Sequence, residues 1–221
     1  MTMWILFSDE IKGFYKSRMM LVLWVGIPLV VLLFRALQPE TGPEMSFTEL
    51  SALLVSSLAG TLGSILLTVK VINEHTGRIY DLFLIRPIKR YQLLLANFLA
   101  VFGCIMVAAL VAELTGVILD LAMHGTIPSD AARRALESLV VSMAGTAVAC
   151  AGGLLMGVLT NSVLVGVVLV IFGTSNLTSL PYLPMLLRWD VDPTLFAGVV
   201  SFILTAVMVL LAIVAFNRKD L

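Results

Sequence analysis

Six long apolar runs limit what this sequence can fold into. A helix needs about 20 apolar residues to cross about 30 Å of hydrocarbon. Hydrophobic residues make up 60% of the 221 residues and charged residues only 13%, whereas soluble domains are about 45–50% apolar. We therefore expect one all-α integral membrane domain with six transmembrane helices, because a span in lipid must satisfy its own backbone hydrogen bonds. The runs are 19–37, 50–72, 93–119, 135–159, 163–180 and 194–216.

The positions of Lys and Arg predict the orientation of these spans, because cytoplasmic connections are rich in both residues. With a cytoplasmic N-terminus, ten of the fourteen fall on the cytoplasmic side. We therefore expect both termini in the cytoplasm. The ten are Lys12, Lys16, Arg18, Lys70, Arg78, Arg86, Lys89, Arg90, Arg218 and Lys219, and the other four are Arg35, Arg133, Arg134 and Arg188.

Residues 3–18, ahead of the first run, have an amphipathic pattern. Trp4, Phe7, Ile11 and Phe14 recur at helical spacing, with lysines between them. This pattern predicts a helix along the inner membrane interface, with its aromatic rings against membrane lipid. The alternative is a short, partly ordered cytoplasmic tail.

Two of the apolar runs carry stripes of small residues at every fourth position. Such spacing places the residues on one helix face, where small side chains let a second helix backbone approach closely. We expect both stripes to be helix-packing faces, and an intermolecular role for at least one is left open. The first stripe is Ala52, Ser56, Gly60, Ser64 and Thr68, and the second is Gly145, Ala149, Gly153 and Gly157.

The connection between the second and third runs is long, whereas the fourth and fifth are separated by three residues, 160–162. In the long connection, apolar and charged side chains are interleaved, Gly77 permits a turn, and Pro87 marks an end. This pattern predicts a short amphipathic cytoplasmic helix at about 76–85, which needs either a lipid surface or a protein groove. The interleaved residues are Arg78, Ile79, Asp81, Leu82, Phe83 and Arg86.

The stretch from Glu74 to Arg90 resembles the first cytoplasmic loop of type-two ATP-binding cassette (ABC) exporter permeases. Glu74, Gly77, Leu82 and Pro87 match the pattern of that family. The resemblance extends to the interfacial helix, the six spans, the tight second inner loop and the short basic end. The sequence departs from the family at Arg78, where a small hydroxyl residue is common. It also departs at 96–97, where Ala-Asn replaces a frequent Gly-Lys.

The resemblance implies a transport subunit and its partners. In the family this inner helix is a coupling helix that docks on a separate ATPase, so the working unit would hold two ATPases and two permease chains, identical or different. ATP and Mg would be bound by the ATPase. The permease chains would lie in the cytoplasmic membrane of a prokaryote. The sequence has no G-x-x-x-x-G-K-[ST] phosphate loop, so we expect a non-enzymatic export subunit without a cofactor of its own. The implied coupling residues are Glu74, Gly77, Arg78, Ile79, Asp81, Leu82, Phe83, Arg86 and Pro87.

Polar residues inside the runs are candidates for a translocation path. Glu113 lies well within the third run, and an intramembrane carboxylate is by default a functional candidate. Alternatively it reaches the outer interface or pairs with Arg133 or Arg134. Thr174, Ser175 and Asn176 make the end of the fifth run polar, which suggests a water-filled path or a dimer seam.

Other function classes find less support in the sequence. An ATP-independent secondary carrier or channel is the main alternative, but it needs paired intramembrane charges or broken helices. An intramembrane enzyme would need Ser/His, paired Asp or His-Glu-x-x-His at membrane depth, and the sequence offers none of these. The net charge of zero argues against a nucleic-acid partner. The separated His75 and His124, with no ligand at metal spacing, predict no metal site, and the substrate class is left open.

Overall fold

In a computed structural model of the chain, the structure describes residues 7–8, 10–13, 18–37, 47–76, 90–124, 129–178 and 192–218. Within these ranges the regular secondary structure is entirely α-helical, which confirms the predicted helical class. Residues 7–8 and 10–13 are helical, and most of the rest of the predicted 3–18 helix lies outside the described ranges. The six helices are α1 (Arg18–Leu37), α2 (Phe47–Thr76), α3 (Arg90–His124), α4 (Ser129–Leu159), α5 (Val163–Thr178) and α6 (Pro193–Arg218).

Each predicted apolar run lies mostly within one of these helices, but α2, α3 and α4 extend several residues past their runs. They contain 30, 35 and 31 residues. A helix continues for as long as its backbone hydrogen bonds are made, so a loss of hydropathy does not end it. The apolar runs therefore locate the helices better than they locate their ends.

Three helical stretches are long and apolar enough to cross a membrane: Tyr91–Leu119, Leu139–Leu159 and Thr194–Arg218. These stretches indicate a membrane protein. Two shorter apolar stretches, Val22–Leu33 in α1 and Val163–Gly173 in α5, fall below that length among the described residues. In α2 the apolar side chains alternate with the small and polar residues of its stripe, which lowers its hydropathy.

The helix α4 lies at the centre of the bundle. Its most extensive contact is with α2, followed by its contact with α6, and it also packs on α5 and α3. The helix α2 contacts α3 and α5 in addition, while α1 packs mainly on α3. The buried core joins side chains from α1, α2, α3, α4 and α6 in one cluster. Because α2 and α4 pack on each other and on the helices around them, a shift of either one would displace its neighbours.

The outward faces of α1, α5 and α6 are apolar. On α6, Leu195, Phe202 and Leu210 are all exposed, and on α5 Leu164 and Phe172 are exposed. Contiguous apolar surface of this kind marks a membrane or protein interaction surface. These faces fit the membrane environment that the composition predicts.

Candidate functional site

A polar cluster lies where α2 ends and α3 begins, beside residues 77–89, which lie outside the described ranges. We call Glu10, Lys70, Glu74 and Asn97 the loop base. Lys70 pairs with Glu10 of the N-terminal helical segment, and its Nζ lies 3.7 Å from Glu74 Oε1. Asn97 Nδ2 donates a hydrogen bond to Glu74 Oε2 at 2.7 Å. The loop base therefore joins the N-terminal segment, α2 and α3.

Helix geometry and burial explain why these groups meet. Lys70 and Glu74 stand four residues apart on α2, a spacing that places side chains next to each other. Asn97 is fully buried, and the Lys70 and Glu74 side chains are only 17% and 16% exposed. Charges this far from water interact more strongly than surface pairs do, and removing one partner of a buried pair is costly. The loop base is therefore a firm connection between the three elements.

Asn97 contributes an acceptor as well as a donor to the loop base. Its amide nitrogen faces Glu74, as it must, because a carboxylate can only accept. Its Oδ1 is buried and has no hydrogen-bond partner among the described residues. Buried polar atoms are usually paired, so this oxygen marks Asn97 as more than a packing residue.

Of the predicted coupling residues, only Glu74 belongs to the described part of the chain. The helix α2 is described up to Thr76, whose Oγ1 donates to Ile72 O at 2.8 Å. The other coupling residues lie outside the described ranges: Gly77, Arg78, Ile79, Asp81, Leu82, Phe83, Arg86 and Pro87.

The structure brings the two small-residue stripes against each other within one chain. A Cβ added at Gly153 would clash with the Ser64 backbone, with Ser64 Cα only 2.6 Å away. A Cβ at Gly157 would lie 3.2 Å from Thr68 Cα, and one at Gly60 would lie 3.3 Å from Ala149 Cβ. We call this contact the small-residue seam. Its glycines leave room for the backbones of α2 and α4 to touch.

Thr68 links the small-residue seam by a hydrogen bond. Its Oγ1 lies 2.7 Å from Gly153 O on α4 and 2.8 Å from Ser64 O on α2. The helix α5 joins here through Gly166, where a Cβ would lie 2.9 Å from Thr68 Cγ2. Thr68 thus joins its own helix α2 to both α4 and α5. Gly145 is buried on α4, while the Ser56 side chain falls outside the described set.

Glu113 is buried between α3 and α4, with only 6% of its surface exposed. Its Oε1 lies 2.8 Å from Ser142 Oγ, and that hydroxyl oxygen also lies 3.0 Å from Leu139 O. We call Glu113 and Ser142 the polar seam. Among the described residues no cation pairs with Glu113. The side chains of Arg133 and Arg134, its predicted alternative partners, lie outside the described set.

The predicted polar group on α5 lies in different surroundings. Asn176 is exposed, and its Nδ2 donates to Phe172 O of its own helix at 2.8 Å. Thr174 and Ser175 have helical backbone, but their side chains are not among those described. Glu113 is instead buried between helices, so the two parts of the predicted path differ in their exposure.

The sequence interpretation did not single out Lys70 as a partner of Glu74, Asn97 as a site residue or Ser142 as a partner of Glu113. The spacing of Lys70 and Glu74 offered a signal, because oppositely charged residues four apart pair on a helix. Ser142 and Glu113 lie at similar distances along the chain from the α3–α4 connection at 125–128, so an antiparallel hairpin brings them to one level. Asn97 stood out only as part of the departure from the family pattern at 96–97, which did not indicate a contact with Glu74.

Within the described ranges, no three His, Cys, Asp or Glu side chains are placed to hold a metal ion. Cys104 and Cys150 are free thiols, half-buried and buried respectively. Comparison with models of protein families gives no match to this chain, and neither does comparison with curated protein sequences.

Proposed function

We propose that this chain is the permease subunit of an ABC transporter, which exports a substrate with ATP hydrolysed by a separate ATPase. The observation that carries the proposal is the loop base. The stretch Glu74–Arg90 has the residue pattern of a coupling loop, and its first matching residue, Glu74, is tied to α3 by the 2.7 Å bond from Asn97. A loop anchored in this way at both flanking helices can pass a push on the loop to both of them.

The proposal includes a six-span arrangement with both termini in the cytoplasm. Support comes from the three long apolar helices, the shorter apolar stretches in α1 and α5, and the excess of Lys and Arg in the proposed cytoplasmic segments. In this arrangement the loop base faces the cytoplasm of a prokaryotic cell, where an ATPase would bind. Two permease chains and two ATPases would form the working unit.

The mechanism we propose is mechanical. Closure of the ATPases on ATP would push the 76–85 helix, and the loop base would transmit the push to α2, α3 and the N-terminal segment. Because α2 and α4 touch at backbone distance, α2 cannot shift without moving α4. The helix α4 in turn packs on α5 and α6, so the displacement would reach most of the bundle.

Changing Leu82 to Asp tests the docking step. In a 76–85 helix, Leu82 lies on the apolar face, and a charge there would oppose entry into an apolar groove. We expect the variant to insert normally into the membrane. The partner ATPase should then hydrolyse ATP at the same rate with the variant permease as without it. Tyr80→Asp places the same charge on the opposite helix face and should preserve coupling. Normal coupling in Leu82→Asp would contradict the proposed docking.

Changing Asn97 to Asp tests the transmission step. The new carboxylate would face Glu74 at hydrogen-bond distance, so like charges would replace a bond. We expect the ATPase to remain bound while the permease loses its effect on the hydrolysis rate. Gln92→Glu adds an equal charge on α3 near the same end and serves as the control. Equal behaviour of the two variants would show that the loop base transmits nothing.

A further inference from the structure

Two buried hydroxyl groups on α6 take no part in the contacts described so far. Ser201 is only 3% exposed, and Thr205 lies four residues further along, on the same face of the helix. Ser201 Oγ and Thr205 Oγ1 are both buried, and neither has a hydrogen-bond partner among the described residues. A buried polar atom without a partner is costly, so these two hydroxyls need an explanation.

The other buried hydroxyl side chains of the described helices are bonded in a different way. Each of them contacts a carbonyl oxygen of its own helix, three or four residues earlier, at 2.8 to 3.0 Å. This is the usual way in which Ser and Thr are satisfied inside a helix that has no water around it. Ser201 and Thr205 make no such contact with α6. The bonded residues are Ser64, Thr68, Ser142 and Thr146.

The helix that α6 packs against offers the two hydroxyls little to pair with. Helix α6 packs extensively on α4 and less on α3, and it has no extensive contact with α2. The side of α4 that faces away from the small-residue seam carries Ala144, Val148 and Ala151 at helical spacing. None of these side chains can donate or accept a hydrogen bond. That side of α4 therefore leaves the hydroxyls of α6 unpaired.

The helix α6 is also the least enclosed of the three long apolar stretches. Only 22% of the most apolar part of Thr194–Arg218 is buried, against 56% for Tyr91–Leu119 and 61% for Leu139–Leu159. Its outward face is apolar, with Phe202 exposed to 76%. Because α6 has neighbours on one side only, it can shift outward into lipid without displacing another helix. The small-residue seam meanwhile holds α4 to α2.

We propose that the contact between α4 and α6 opens to water, and that Ser201 and Thr205 line the crevice that forms. Water supplies each hydroxyl with a donor and an acceptor, which offsets part of the apolar contact that α6 loses. The crevice fills with water rather than lipid tails, because hydrocarbon can neither donate nor accept. This inference concerns the helices of one chain and does not depend on the proposed transport function.

Ser201→Cys and Thr205→Cys test the opening in the full-length chain in lipid nanodiscs. A permanently charged thiol reagent enters water but not hydrocarbon, and mass spectrometry locates the modified residue, so the native Cys104 and Cys150 stay in place. We expect both introduced thiols to react with the charged reagent. Phe202→Cys is the matched control, because this neighbouring position faces outward. It should react with an apolar maleimide but not with the charged reagent.

Thr205→Val gives a second readout that needs no introduced thiol. It keeps the shape of the side chain but removes an unpaired hydroxyl, so the closed contact should gain stability and the thermal midpoint should rise. When it is combined with Ser201→Cys, the introduced thiol should react several-fold more slowly, because the closed contact is favoured.

Two results would overturn the proposal. The first is that Ser201→Cys and Thr205→Cys do not react with the charged reagent in nanodiscs, although both react after denaturation. The second is a lower thermal midpoint in Thr205→Val, which would show that the hydroxyl is bonded within the closed bundle and gains nothing from water.

Discussion

The two faces of α4 are held to their neighbours in different ways. Toward α2, the small-residue seam brings backbones together, with no room for a Cβ at Gly153 and little room for one at Gly157. Toward α3, the contact is less extensive, and the polar seam places a buried carboxyl group against a hydroxyl. The face toward α2 depends on glycines, which have no side chain, whereas the face toward α3 depends on the side chains of Glu113 and Ser142.

This difference teaches which contact can change in a working molecule. Close-packed interfaces do not deform gradually, so the small-residue seam is suited to move α2 and α4 as one body. A hydrogen-bonded pair can be broken by a change in protonation or by a partner that competes for it. We therefore expect α2 and α4 to form the rigid part of the bundle and the α3–α4 contact to be the adjustable part.

The largest effect is expected at Gly153. In Gly153→Ala the new methyl would clash with the Ser64 backbone, which cannot rotate away as a side chain could. We expect a loss of about 3 kcal/mol of stability, the upper end of the range for overpacking. The measurement is the thermal midpoint in detergent. Gly103→Ala is the matched control, because nothing lies within 4 Å of its Cβ position, and it should be neutral or slightly stabilising. Equal midpoints for both variants would contradict the small-residue seam.

An intermediate effect is expected when the Glu113 side chain is removed. Glu113→Ala empties the space beside Ser142 and should cost about 2 kcal/mol through the cavity and the lost hydrogen bond. Glu113→Gln keeps the volume and a side-chain oxygen that can accept from Ser142 Oγ, so it should restore most of that loss. The two variants are compared by denaturation of the purified protein. If Gln is no better than Ala, the hydrogen bond between the side chains at 113 and 142 does not stabilise the polar seam.

The smallest effect is expected at Thr68. Thr68→Val keeps the shape of the side chain but removes the bond to Gly153 O, and interhelical bonds in membranes contribute about 0.6 kcal/mol on average. Thr76→Val removes a bond within α2 only, at an exposed position, and should change the midpoint less. A larger effect at Thr76 than at Thr68 would mean that the hydroxyl adds nothing to the small-residue seam.

Much of the fold could be predicted because hydropathy and helix formation have local causes. The run at 93–119 identified α3, yet the helix begins at Arg90 and ends at His124, since backbone bonding continues beyond the apolar residues. The tight connection at 160–162 was also visible, and α4 ends at Leu159 while α5 begins at Val163. Which helices pack together is a tertiary property, and the sequence did not identify α4 as the centre.

Less of the candidate site than of the fold could be predicted from the sequence. The every-fourth spacing of Gly60, Ser64 and Thr68 identified a face of α2 but not its partner, because many helices could accept such a face. The seam proved to lie within the chain. Glu113 stood out as an acid in an apolar run, whereas Ser142 looked like any small polar residue in a membrane helix. Its role depends on the hairpin geometry that places it 2.8 Å from the acid.

The most direct test of the central claim is purification of the full-length chain from its native membrane in gentle detergent, with and without ATP and vanadate. Every co-purifying protein is then identified. Our account predicts a stoichiometric ATPase that is lost or released in Leu82→Asp and retained in Tyr80→Asp. A preparation that lacks an ATPase under all conditions would contradict the account and favour an ATP-independent carrier, with Glu113 as its first residue to change.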